Sequence, residues 1–309
     1  MARGRFAPSP SGRLHLGNLR TALIAWLFAR SEGSDFYFRF EDLGPRQLEH
    51  YDTQIADFLA IGLDYDGEVI RQLDRLDRYR DAVSDLVKRE MVYECFCSRK
   101  EIREAASAPN HAFAGHSYPG TCRTLTRAQR QAKVDSGRPP ALRVRAEAAS
   151  LTFDDVVAGS QQFSVDDFVV QRNDGIPAYH LVVVVDDHAQ GIELVVRADD
   201  LLPSTARHLY LYQLFGLEPP GHAHVPLVLA PDGERLAKRH GAVSLPDQVA
   251  SGRTPAQVLA YLASTLGLAD PHNECSPADL VALFDPENLP TTPLTLPPAV
   301  IDPRVPPPG

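Results

Sequence analysis

The sequence of 309 residues has no long apolar runs and contains little cysteine, methionine or tryptophan. None of its apolar runs approaches the roughly 20 residues that a membrane span needs. The first ten residues, "MARGRFAPSP", contain no apolar signal core, so we expect a cytoplasmic protein without membrane contact. The sequence also lacks a P-loop and a G-x-G-x-x-G motif, which excludes the two commonest phosphate-binding loops.

The four cysteines are too few and too far apart to form a disulfide framework in a chain of this length. They are Cys95, Cys97, Cys122 and Cys275. The first three provide soft ligands whose spacing allows a loop to close on one Zn²⁺ ion. Chemistry alone favours an imidazole, from His116 or His111, as the fourth ligand, and buried thiols without metal are the alternative.

Basic residues are outnumbered by acidic ones, with 31 lysines and arginines against 40 aspartates and glutamates and a net charge of −9. This total argues mildly against a nucleic-acid partner, since phosphates are bound by lysine and arginine. The distribution matters more than the sum. Residues 123–145 and 234–240 are locally basic. Each of them fits either a nucleic-acid contact or a solvated surface.

The pattern of apolar segments predicts an α/β protein with a parallel sheet. Strands are predicted at 3–7, 35–40, 179–188, 192–200 and 224–229, and helices at 16–31, 46–62, 204–215, 254–267 and 276–284. We divide the chain into a first half of the sheet domain (1–90), an inserted α+β module (91–170), the second half (171–235), a helical region (236–290) and a proline-rich tail (291–309). The tail is predicted to lack a single packed conformation.

Charged residues of both signs fall at the predicted ends of the strands, where ligands bind in open α/β sheets. They are Arg5, Glu41, Asp186, Asp187 and Arg197, with Ser9 in the first turn. A carboxylate and a guanidinium together suit a zwitterion, with the acid for an ammonium and the arginine for a carboxylate. Each residue taken alone has a simpler explanation, because strand ends meet solvent.

The stretch "RFAPSPSGRLHLGN" places a rigid turn before a long apolar helix and brings His15 and Asn18 to the helix N-terminus, which favours an anion there. "PSPSGRLHLGN" resembles the HIGH signature of class I aminoacyl-tRNA synthetases, and "ERLAKRHGA" is similar to their second signature, the KMSKS loop. "FRFED", "IPAYHLVVVVDDH" and "VVRADDLLPSTARHLY" lie between the two in the order of that family. The resemblance covers residues 3–290. It implies a class I synthetase fold, a Rossmann-like parallel sheet split by an α+β zinc-bearing insertion and followed by a short helical C-terminal region.

The resemblance also implies roles for individual residues. Catalytic roles are implied for His15, Asn18 and Lys238. ATP, with Mg²⁺, is implied to bind at His15, Gly17, Asn18, Arg235, Lys238 and Arg239. L-glutamate is implied at Arg5, Phe6, Ala7, Pro8, Ser9, Glu41, Tyr179 and Arg197. Arg235 and Ala237 depart from the lysine and serine of the usual loop, and Ala198 replaces a usual glycine.

The cysteine segment resembles one branch of the family. "YPGTC" is similar to the bacterial glutamyl-queuosine tRNA(Asp) synthetases, which implies a Zn²⁺ site of Cys95, Cys97, Tyr118 and Cys122, with His116 as the alternative to Tyr118. After the second signature only about 70 residues remain, so we expect no anticodon-binding domain.

The implied function is ATP-dependent transfer of glutamate to queuosine in tRNA(Asp), by an enzyme expected to be a monomer. The alternatives are a truncated enzyme that charges the 3′ end of tRNA(Glu) and an inactive tRNA-binding module. Residues 123–145 are the expected tRNA surface.

Overall fold

The computed structural model describes residues 2–44, 46–106, 118–147 and 149–302 of the chain, without the side chains of residues 103–106 and 238. Its first half alternates strands and helices. The elements are β1 (Gly4–Phe6), α1 (Leu16–Ser31), β2 (Phe36–Phe40), α2 (Glu49–Ala60), β3 (Ile70–Arg71) and α3 (Leu76–Lys88). The three strands pair in parallel in the order β1-β2-β3. Helix α1 is the crossover between β1 and β2, as the sequence predicts.

The middle of the chain forms a small antiparallel sheet and a hairpin. Its elements are β4 (Val92–Cys95), α4 (Arg99–Ala106), α5 (Arg127–Asp135), β5 (Ala141–Val144), β6 (Ser150–Asp155), β7 (Gly159–Ser164) and β8 (Val169–Gln171). Strands β4, β5 and β8 form one sheet, whereas the β6–β7 hairpin joins a different one. Because these strands belong to two different sheets, the limits of the inserted module, residues 91 and 170, remain a prediction.

The second half of the sheet follows. Its elements are α6 (Tyr179–Ala189), β9 (Leu194–Ala198), α7 (Thr205–Phe215), β10 (Gly221–Val225) and β11 (Val228–Leu229). The strand order is β7-β6-β10-β9, in which β6, β10 and β9 are parallel. The amide of Leu194 donates to the Arg3 carbonyl oxygen at 3.2 Å, so β9 lies against β1 and the two sheets meet. The carboxyl ends of β1, β2 and β9 thus face one edge.

The prediction of a strand at 179–188 is wrong, because this segment is helix α6. Its first three valines are consecutive and all buried, and a run of consecutive buried residues shows no apolar–polar alternation from which a helical period could be read. The run of β-branched residues favoured a strand on propensity alone. Asp186 and Asp187 therefore lie inside a buried helix and not at the end of a strand.

The end of the chain also differs from expectation. It contains α8 (Leu245–Ala250), α9 (Pro255–Ser264), α10 (Pro277–Leu283), β12 (Leu294–Thr295) and α11 (Pro298–Ile301). Strand β12 pairs with β11, and Leu296 and Ile301 are buried, so the proline-rich tail is packed as far as residue 302. The predicted strand at 224–229 is divided at Pro226, which cannot donate to a ladder.

In the described part of the chain, no helix combines the length and the apolar character needed to cross a membrane.

Candidate functional site

A cavity of about 870 Å³ opens where the carboxyl ends of β1, β2 and β9 meet the start of α1. Eleven of the site residues named from the sequence line it: Arg5, Phe6, Ala7, Pro8, Ser9, His15, Asn18, Glu41, Tyr179, Arg197 and Arg235. Residues far apart in the chain thus share one cavity. Both acidic and basic side chains line the cavity, as predicted from the charged residues at the ends of the strands.

His15 and Asn18 form a reciprocal cap at the start of α1. The Asn18 amide donates to Nδ1 of His15 at 3.1 Å, and the His15 amide donates to the Asn18 side-chain oxygen at 3.1 Å. Burial, helped by the charge of Arg235, lowers the pKa of His15 to about 4. The imidazole is therefore neutral at neutral pH, and its one proton is on Nε2 because Nδ1 accepts. His15 can donate this proton in a hydrogen bond to an anion.

Gly17 lies in the first turn of α1 and is required by the His15 ring. A Cβ at Gly17 would lie 3.0 Å from Cε1 and Nδ1 of His15 and 3.2 Å from Cβ of Val228. A side chain at this position would therefore crowd the imidazole in its capping position.

The loop after β11 brings the second signature to the same cavity. Nη1 of Arg235 lies 2.6 Å from Oδ2 of Asp200, and the amide of Leu16 donates to the Val243 carbonyl oxygen at 2.8 Å. The backbone of Lys238 begins a short 3₁₀ helix, Lys238–His240, whereas its side chain lies outside the described part of the chain. Arg239 is exposed.

Buried ion pairs hold the acidic side of the cavity. Asp187 Oδ1 lies 2.8 Å from Nη1 of Arg39 and 3.2 Å from Nε of Arg5. Burial works against the charged form of Asp187, but Arg39 and Arg5 lower its pKa overall. Glu41 lies 3.5 Å from Nη2 of Arg39, and burial raises the pKa of Glu41 in spite of this cation. The sequence analysis does not include Arg39 among the site residues, although a charge within the apolar "FYFRF" strand is a signal for one.

Arg197 is only 5% exposed, and every hydrogen bond that the structure gives it goes to an uncharged group. The acceptors are His224 Nε2 at 2.9 Å, His208 Nδ1 at 3.2 Å, Thr205 Oγ1 at 2.8 Å and the Leu201 carbonyl at 3.3 Å. Burial lowers the pKa of Arg197. An anionic ligand would stabilise a buried guanidinium in such surroundings more than a neutral ligand would.

The three cysteines of the predicted metal site lie together, with their sulfur atoms within 4.8 Å of one another. The Tyr118 hydroxyl is 3.4 Å from Cys95 Sγ and 3.6 Å from Cys97 Sγ. A hydrogen bond with Cys97 lowers the pKa of Cys95 most, and Tyr118 and the Arg143 cation lower it further against the effect of burial. Three thiols and a phenol at these separations fit the tetrahedral geometry of Zn²⁺. His111 and His116 lie outside the described residues, and Cys275 is far away in sequence.

A second cavity, of about 1070 Å³, borders this cysteine cluster. Five arginines line it: Arg99, Arg138, Arg143, Arg172 and Arg207. Tyr179 lines both this arginine-lined cavity and the first one. Of the basic segment 123–145, the cavity includes Arg138 and Arg143.

Comparison with known proteins gives a family for this architecture. Residues 1–284 match the family model of the catalytic domain of class I (E and Q) tRNA synthetases. A glutamyl-Q tRNA(Asp) synthetase from Nocardia farcinica is 53% identical over 95% of this chain and 92% of its own length. A protein of the same name from Symbiobacterium thermophilum is 44% identical over 96% of both chains.

A solved structure agrees with this assignment. The crystal structure of a glutamate tRNA ligase from Elizabethkingia meningosepticum, 26% identical, superposes with a TM-score of 0.80 over 95% of this chain and 66% of the other. The chain therefore belongs to the class I (E and Q) tRNA synthetases and, within them, to the family of the glutamyl-Q tRNA(Asp) synthetases.

Proposed function

We propose that the protein activates L-glutamate with ATP and transfers it to the queuosine base in the anticodon loop of tRNA(Asp). The amino-acid part of this proposal is carried by Arg197, a buried cation with uncharged partners that faces Glu41 across one cavity. The acceptor is supported by the names of relatives that align over nearly the whole chain.

Glutamate fits the cavity by charge. Glu41 would take the α-ammonium group, and Arg197 with Arg5 the side-chain carboxylate. Arg5 already pairs with Asp187, so Arg197 is the main ligand for this carboxylate. An amide in place of the carboxylate would leave the Arg197 charge without a counter-ion, which disfavours glutamine.

ATP would lie at the start of α1, within reach of the Nε2 proton of His15. A substrate carboxylate oxygen attacks the α-phosphorus, the bond to the bridging oxygen breaks and pyrophosphate leaves, so the reaction needs no protein nucleophile. The residues act by positioning the two anions and balancing charge: His15, Gly17 and Asn18 at the helix, and Arg235, Lys238 and Arg239 on the loop. Mg²⁺ bound with ATP would offset the charge of its phosphates.

Zn²⁺ would have a structural role. Cys95 is the last residue of β4 and Cys97 lies two residues further on, whereas Tyr118 and Cys122 belong to a second segment, so a shared ion would join the two segments. This junction forms one wall of the arginine-lined cavity.

We place the tRNA at the arginine-lined cavity, because the guanidinium groups of this cavity suit phosphates. Tyr179 connects it to the first cavity, which we call the glutamate cavity. An extended base entering here would approach the activated carboxyl group. The predicted surface at 123–145 contributes Arg138 and Arg143 to this cavity.

The proposal is tested with labelled glutamate, ATP and two tRNA pools, from cells that make queuosine and from cells that do not. We expect label only in the first pool, and we expect it to persist when the 3′-terminal adenosine has been removed beforehand. Labelling of both pools that is lost with this adenosine would instead establish an enzyme that charges the 3′ end. Absence of glutamate-dependent pyrophosphate–ATP exchange, with and without tRNA, would rule out both activities.

A further inference from the structure

Two buried histidines, a half-buried histidine and a buried aspartate form a hydrogen-bonded network around Arg197 that substrate contact does not account for. Nδ1 of His224 lies 2.6 Å from Oδ2 of Asp155, and Nε2 of His208 lies 3.1 Å from Nδ1 of His180. Arg197 connects the two pairs through its bonds to His224 Nε2 and His208 Nδ1. The result is one continuous chain of hydrogen bonds, Asp155–His224–Arg197–His208–His180.

Arg197 fixes the proton positions along this chain. A guanidinium only donates, so the two imidazole nitrogens that face it must both accept. A neutral imidazole has one N–H, which places the proton of His224 on Nδ1, facing Asp155. By the same argument His208 carries its proton on Nε2 and donates it to Nδ1 of His180.

The surroundings keep these groups in the required charge states. Burial lowers the pKa of His180 to about 3 and also lowers those of His208 and His224, so the imidazoles are neutral at neutral pH. Burial works against the charged form of Asp155, but hydrogen bonds from the side chain and amide of His224 bring its pKa down to about 2.

We propose that Asp155, His180, His208 and His224 are positioning residues, a histidine relay whose fixed tautomers hold Arg197 in place for the side-chain carboxylate of the substrate. The proposal rests on the proposed function, in which Arg197 binds this carboxylate. It assigns amino-acid selection in part to Asp155, which lies at the end of β6 and does not line the glutamate cavity.

The surroundings of Asp155 make Asp155→Asn a specific test. Oδ1 of Asp155 accepts three amide protons, from Val157, Ala158 and His224, at 3.1, 2.9 and 3.0 Å. In the variant only the amide oxygen can take this place, so the NH₂ group must face His224 Nδ1 and donate to it. The proton of His224 then moves to Nε2, where it opposes the N–H of Arg197.

We expect Asp155→Asn to raise the KM for glutamate about tenfold or more in pyrophosphate–ATP exchange, with a much smaller change in the KM for ATP. ¹⁵N NMR of the imidazoles, with His224 assigned through its own substitution, should show the unprotonated nitrogen at Nε2 in the natural protein and at Nδ1 in the variant. Unchanged ¹⁵N shifts, or equal changes in both KM values, would overturn the proposal. The NMR result does not depend on activity, so it separates failure of the relay from failure of the proposed function.

Two matched substitutions of His208 test the relay independently, should the Asp155→Asn variant fail to fold. His208→Asn places an amide oxygen near the Nδ1 position, which faces Arg197, whereas His208→Gln reaches toward His180 and leaves the Arg197 proton without its acceptor. We expect the KM for glutamate to rise more in His208→Gln than in His208→Asn. Equal increases would show that His208 only fills space.

Discussion

At the residue scale, the glutamate cavity combines paired charges with a buried cation, Arg197, whose hydrogen-bond partners in the described part of the chain are all neutral. Asp187 is shared by Arg39 and Arg5, which fixes both guanidinium groups in a buried position. Arg197 has neutral partners and therefore keeps its full charge for a ligand. A cavity built in this way discriminates by charge, because an uncharged side chain would leave a buried cation unpaired.

Tyr118→Phe tests the fourth zinc ligand. The substitution removes the hydroxyl near Cys95 and Cys97 but keeps the ring that packs under Arg143, whose Cζ is 3.8 Å from the ring centroid. We expect about one Zn²⁺ per chain in the natural protein and at least about tenfold weaker retention in the variant. Elemental analysis and the rate of zinc release to a chromogenic chelator measure this without reference to activity.

Tyr93→Phe is the matched control, because Tyr93 belongs to the same apolar cluster but its hydroxyl binds Asp167 at 2.6 Å. This variant should release zinc at the natural rate. If Tyr118→Phe also does so, Tyr118 is not a ligand and His116 becomes the residue to substitute.

At the element scale, the sequence predicts those helices and strands that have a clear apolar period, and those site residues that lie at the ends of predicted strands. Helix α1 and strands β2 and β9 were predicted because apolar runs of helix or strand length end at polar residues, and this also located Arg5, Glu41 and Arg197. The sequence does not predict helix α6, because its consecutive buried residues hide the helical period. Asp155 and His224 had no sequence signal, since they become a site only when β6 and β10 pair.

The packed end of the chain supports the loop of the second signature. The Ala242 amide donates to the Ile301 carbonyl oxygen at 2.8 Å, and Gly241, at φ +114, has no room for a side chain because a Cβ would lie 2.5 Å from that oxygen. We expect Gly241→Ala to lower the free energy of unfolding by about 2–3 kcal/mol and to raise the KM for ATP. Thermal unfolding and exchange kinetics measure the two effects.

Gly233→Ala controls for the backbone conformation alone. Gly233 also has a positive φ, +81, but a Cβ there would meet nothing within 4 Å. We expect a cost of about 1 kcal/mol and an unchanged KM for ATP. If the two variants behave alike, contact with the chain end does not position the loop.

At the scale of the whole molecule, an acidic protein must still attract a polyanion. The net charge of −9 is unfavourable at long range, so binding of tRNA depends on where the arginines are concentrated. The arginine-lined cavity provides such a concentration beside Tyr179. Contacts of this kind release counterions, and each one lost should reduce the salt dependence of binding.

Arg99→Gln and Arg172→Gln test whether this cavity receives the tRNA. Both residues line it, so we expect each substitution to raise the KM for tRNA in glutamate transfer about three- to tenfold and to reduce the slope of log K against log salt by about 0.7–0.9. The effect on the KM for glutamate in exchange should be much smaller, because neither residue lines the glutamate cavity. Arg80→Gln removes the same charge from the exposed face of α3, away from both cavities, where Arg80 pairs with Asp77 much as Arg172 pairs with Asp174. It should change neither the KM for tRNA nor the salt slope. Equal effects of all three substitutions would mean that total charge, and not this cavity, governs tRNA binding.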